Sequence, residues 1–141
     1  MLTTAYMIAA TMASTATAAH RFAAYYDEWH PNLPTKDTTA GITHVYISFA
    51  DPAVFNTDPL GWYAPFQDPG TLRASFDDGT KMCLAIGGWA NSAGYANAHK
   101  TDATRALFAK NVAAVLDAKG FECVGAYIGR RDFCLFFSRG L

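Results

Sequence analysis

Apolar residues in this chain gather in separated runs, and the spacing within each run differs. The densest is Met82-Cys83-Leu84-Ala85-Ile86, preceded by Lys81 and followed by Gly87-Gly88-Trp89. A run with no polar alternation reads as a strand covered on both faces, as in a parallel sheet flanked by helices. Ile42 to Ala50 is rich in β-branched and aromatic residues and is closed by Asp51-Pro52, which predicts a second strand. Arg21-Phe22-Ala23-Ala24-Tyr25-Tyr26 predicts a shorter one, ended by Asp27-Glu28-Trp29-His30-Pro31, where Pro31 and Pro34 forbid helix. Phe121 to Val124 begins another strand.

Between the last two strands the period changes. From Ala103 to Lys119, the residues Leu107, Phe108, Val112, Val115 and Leu116 fall on one helical face. Thr101-Asp102 offers an N-cap and Gly120 a C-terminal stop. Residues 51–79 hold Pro52, Pro59, Pro65 and Pro69 and read as loop, with one helical turn at Thr71 to Phe76. The stretch from Trp89 to Lys100 reads as a polar turn. Hydrophobic strands separated by crossovers imply an α/β fold with a parallel sheet.

Composition narrows the function classes. The chain has 141 residues, suited to one domain, with 51% apolar residues and a net charge of −1, which supports a globular core. Lys and Arg are scattered until Arg130-Arg131, so no nucleic-acid partner is expected. The three cysteines show no C-x-x-C spacing and suggest neither a zinc site nor a disulfide framework. Cys83 and Cys123 read as small core residues. The four histidines make no H-x-x-x-H pair, and metal binding has no support. His44 reads as a satisfied interior histidine. Residues 1–19 carry no charge, and the apolar run Ala5 to Met12 precedes an A-x-A pattern at Ala16-Thr17-Ala18. This resembles a secretory signal peptide cut near His20, although no basic residue precedes the run. The run is too short and polar to span a membrane, and an extracellular location is expected.

Candidate chemistry concentrates on aromatic residues. Trp89 follows paired glycines at a strand's C-terminal end, where α/β folds place their binding sites. It reads equally as a ligand platform or as one more aromatic packed in a turn. Trp62, Tyr63 and Phe66, in the long loop, either pin that loop to the domain or offer flat surfaces to sugar rings.

Taken together, RFAAYYDEW, GITHVYISFA, KMCLAIGGW and the helix leading into GFECV resemble glycoside hydrolase family 18, the chitinase family, and its fungal members most closely. The resemblance covers residues 20–125 and leaves 126–141 as a divergent tail. It implies the first three to four strands of an incomplete (β/α)8 TIM barrel, a fold of roughly 250 residues when closed. The substrate implied is chitin or a chitooligosaccharide, with no cofactor, metal, membrane or defined protein partner. By position, Tyr25, Phe49 and Trp89 correspond to the aromatics that line the family's sugar cleft.

The family's catalytic strand carries D-x-x-D-x-D-x-E. Its glutamate protonates the leaving oxygen, and an aspartate orients the substrate's acetamide, the internal nucleophile of a substrate-assisted retaining mechanism. Here those positions hold Glu122, Gly125, Tyr127 and Gly129. The family aspartate position is Tyr127 and the family glutamate position is Gly129, and neither supplies a carboxylic acid. Glu122 comes too early in the strand to replace them, and Asp132 lies in the tail. The expectation is a chitinase-like chain without catalytic residues, with open sheet edges that favour aggregation. The alternatives are a chitin-binding, lectin-like protein, or a non-functional product of a gene model that diverges near Gly125.

Overall fold

A computed structural model describes residues 20–27, 32–58, 69–89, 91–128 and 134–138. In chain order, β1 (Ala23–Asp27), α1 (Lys36–Thr39) and β2 (His44–Ala50) lead into a 3-10 segment, Pro52–Asn56. Then come α2 (Pro69–Arg73), β3 (Lys81–Gly88), α3 (Ala93–Ala98), α4 (Asp102–Lys119), β4 (Cys123–Ile128) and β5 (Cys134–Ser138). The strands form one sheet in the order β1-β2-β3-β4-β5. The first four are parallel, and β5 returns antiparallel on β4. The parallel part is the α/β architecture expected. The loop aromatics Trp62, Tyr63 and Phe66, residues 1–19, Gly129 and Asp132 lie outside the described residues. Among the described residues no helix is long and apolar enough to cross a membrane.

The sheet is covered unequally. One face sends Val45, Ile47, Met82, Leu84, Ile86 and Val124 into the main core with Phe55, Leu72, Phe76, Val115 and Leu116. The alternate residues Tyr46, Cys83, Ala85 and Cys123 form a smaller cluster joined by Phe49. Both sets are buried, which is why β3 shows no polar alternation.

α4 is set by its ends and by one polar anchor. Thr104 N–H donates to the Thr101 hydroxyl at 3.1 Å, and Gly120 closes the helix at φ 76°. The buried Asn111 donates from Nδ2 to the carbonyls of Phe55 and Thr57, both at 2.9 Å. Phe108 meets Phe55 edge-on at 5.6 Å between ring centroids. Leu107, expected on the buried face, is 41% exposed, because the helix packs through Phe108 and Asn111 instead.

Five further expectations need correction. Cys83 and Cys123 are not separate core thiols but a disulfide. They are direct register partners on β3 and β4 with their Cα atoms 4.4 Å apart, a geometry that 40 residues of intervening sequence conceal. β4 is a complete strand, since its backbone ladder continues to the Gly88–Ile128 pair whatever the side chains. The polar stretch after Trp89 forms α3, tied back by a 3.0 Å hydrogen bond from Asn56 Nδ2 to the Gly94 carbonyl. The loop after β2 opens with the 3-10 segment, where Ala53 N–H donates to Asp51 Oδ1 at 2.8 Å. The expected helical turn is α2, which begins earlier, at Pro69.

Candidate functional site

Parallel strands bring their C-terminal ends to one side of the sheet, and aromatic residues collect there. Tyr25 from β1 and Phe49 from β2 have ring centroids 5.9 Å apart, and Tyr25 lies 5.5 Å from Tyr46. Phe49 in turn meets Tyr127 of β4 at 6.1 Å. Tyr25 is half exposed, and Trp89, just past β3, is 66% exposed. Exposed aromatic residues gathered at one end of a sheet mark a candidate binding surface. Three of these residues, Tyr25, Phe49 and Trp89, are those picked out from the sequence.

Tyr46 and Tyr127 were not. Tyr46 sits in register with Tyr25, and Tyr127 with Gly87, so strand pairing places both rings on the face carrying Phe49. The signal for Tyr46 lay in strand alternation; for Tyr127 there was only its place in the acidic motif.

The glycine pair shapes this end of the sheet. Gly87 and Gly88 have φ of 104° and 107°, a region that side chains strongly disfavour. A Cβ on Gly88 would stand 3.1 Å from Phe49 Cγ, so Phe49 packs closely against the glycine backbone. The register of β2 on β3 shifts between Ile47 and Ala50, and the Ser48–Phe49 peptide bond is cis.

The other end of the sheet holds the charges. Glu122 accepts from Arg73 Nη2 at 2.5 Å, Lys81 Nζ at 3.0 Å and Met82 N–H at 3.0 Å. Burial pushes its carboxyl up, but the hydrogen bonds from Met82, Lys81 and Arg73 outweigh it and hold the pKa at about 2. A carboxylate held in this way is a poor proton donor. His44, paired with Lys81, contacts the Thr43 hydroxyl at 2.9 Å through Nδ1. Burial, and then Arg21 and Lys81, lower its pKa. It is half-buried rather than interior, with its ring nitrogen satisfied locally. Among the described residues no group of three or more His, Cys, Asp or Glu could hold a metal ion.

An apolar groove of about 380 Å³ lies between α4 and the helix-facing side of β3 and β4, lined by Tyr95, Phe108, Val112, Leu116, Val124 and Ala126. It is separate from the aromatic end. Its one hydroxyl, on Tyr95, is taken up by the Ile86 carbonyl.

The glycosyl hydrolases family 18 model matches residues 21–127, from just before β1 to the penultimate residue of β4. This chain belongs to family 18. A chitinase-like effector from Moniliophthora roreri is 29% identical over 107 residues, which are 72% of this chain and 25% of that protein. The chain thus spans about a quarter of the length of that relative.

The positions set above against the family's acidic motif run into β4. Glu122 is engaged at the far end of the sheet, Gly125 and Tyr127 follow, and Gly129 lies outside the described residues. A Cβ at Gly125 would stand 3.0 Å from Tyr46 Cε1, so a side chain there requires the Tyr46 ring to shift. Among the described residues, the two later acid positions carry no carboxylate, and aromatic rings occupy the surrounding space.

Proposed function

We propose that this family-18 chain binds oligomers of β-1,4-linked N-acetylglucosamine, the repeating unit of chitin, and does not hydrolyse them. Tyr25, Phe49 and Trp89 present apolar faces to the C–H faces of the sugar rings, with Tyr127 extending the surface. Aromatic faces of this size supply most of the contact energy in such sites, and polar groups supply orientation.

The observation that carries the absence of cleavage is the Phe49–Tyr127 contact, 6.1 Å between centroids. At Tyr127, where the family has an aspartate, a phenol packs on the cleft aromatic and cannot orient an acetamide as a carboxylate does. The only described acid of the motif, Glu122, is locked in ion pairs at the opposite end of the sheet. The relative's description, chitinase-like effector, is compatible with this reading. The leader-like residues 1–19 and a disulfide support an extracellular location, where disulfides persist.

Calorimetry with chitohexaose, alongside fluorophore release from a chitotrioside, tests the proposal. Binding without release is expected, with Trp89→Ala weakening it by about 2 kcal/mol, the scale of a central aromatic contact. Turnover by the purified chain, or undiminished affinity in Trp89→Ala, would refute it.

A further inference from the structure

The turn that carries Trp89 is held from both sides of the sheet. On the binding side, Phe49 lies against Gly88. On the helix side, the Tyr95 ring lies against Gly87: a Cβ there would stand 3.1 Å from both Tyr95 Cε2 and its hydroxyl oxygen. That hydroxyl donates to the Ile86 carbonyl at 2.8 Å, one residue before the glycines. Tyr95 is braced in turn by Phe108 of α4, at 5.9 Å between centroids.

We infer that Tyr95 is a positioning residue for Trp89: its hydroxyl pins the end of β3 from the rear and thereby sets where the exposed indole stands. Two consecutive residues with positive φ form a backbone segment with many accessible conformations, because neither has a Cβ to restrict it. The ladder to β4 holds this end of β3 from one edge, and the Tyr95 hydroxyl adds a directional bond from the helix side at the carbonyl just before the glycines. Burial raises the hydroxyl's pKa far beyond the physiological range, so it remains a donor. Pre-setting the indole lowers the ordering cost of binding a sugar chain, which is how a residue out of reach of the ligand changes affinity.

The affinity part of this inference rests on the sugar-binding reading; the positional part does not. The chain is labelled with 5-fluorotryptophan, and the Trp89 resonance is assigned by its loss in Trp89→Phe. Tyr95→Phe keeps the ring and removes only the hydroxyl. The expected result is a shifted or broadened Trp89 resonance with the other two tryptophan signals unmoved, and a three- to tenfold weaker affinity for chitohexaose well below the melting temperature. Phe108→Leu loosens the same packing but keeps the Tyr95 hydroxyl, and should lower the melting temperature while displacing the Trp89 signal less than Tyr95→Phe does.

An unmoved Trp89 resonance in Tyr95→Phe overturns the inference, as does an equal displacement in Phe108→Leu. If the unmodified chain does not bind chitohexaose, the sugar reading fails. The fluorine spectra then decide the positional role alone.

Discussion

Tyr46 occupies the space that a side chain at Gly125 would need: a Cβ there would stand 3.0 Å from Tyr46 Cε1 and 3.3 Å from Cδ1. The absence of a side chain at Gly125 and the placement of this tyrosine are therefore one packing solution. Gly125→Asp should destabilise the chain by roughly 2–4 kcal/mol, combining overpacking with a buried charge. Urea denaturation measures it. Pairing the change with Tyr46→Ala should recover part of the loss, and additive effects would show that the two positions do not compete for space.

Glu122 predicts an acid-side stability dependence. Its folded pKa of about 2 lies below the ordinary 4.5. A depressed carboxylate contributes fully above about pH 4.5, and that contribution falls away as pH drops toward 2. Its side chain is 34% exposed, so solvent screening reduces the contribution to roughly 1–2 kcal/mol. Denaturation midpoints between pH 2 and 6 should fall more steeply for the unmodified chain than for Glu122→Gln. Parallel curves would mean that the Arg73 and Lys81 contacts contribute nothing net.

The Cys83–Cys123 disulfide predicts that neither of these two cysteines reacts with a thiol reagent in denaturant without reductant. Thiol titration with mass spectrometry reads this directly. The bond closes a loop across a sequence separation of 40, for which chain entropy alone gives about 4 kcal/mol. Reduction, or Cys83→Ser with Cys123→Ser, should lower the unfolding free energy by an amount of that order. Finding three reactive thiols would contradict the pairing.

Asn111 predicts a large cost from a small change. Its Nδ2 serves two carbonyls, of Phe55 and Thr57, and joins α4 to the segment after β2. Asn111→Ala leaves both carbonyls without this donor and should cost roughly 2–3 kcal/mol in thermal or urea unfolding. A loss below 0.5 kcal/mol, the range of ordinary surface changes, would show that water replaces the amide freely.

The four parallel strands and the long helix α4 were legible in the chain because they depend on neighbours in sequence. The apolar run at 82–86, the spacing of Phe108, Val112, Val115 and Leu116, and the Thr101 and Gly120 signals each act within a few residues, and each element formed where it was read. Trp89 stood out through the glycine pair before it, whereas Tyr25 and Phe49 were singled out only through a family likeness. What the folded sheet added depends on register between strands tens of residues apart. Register joined Cys83 to Cys123 and set Tyr46 beside Gly125, and it carried Glu122 to Arg73 and Lys81. No local period encodes which residues of two strands will stand opposite each other. That is decided when both strands bury their faces against the same helices.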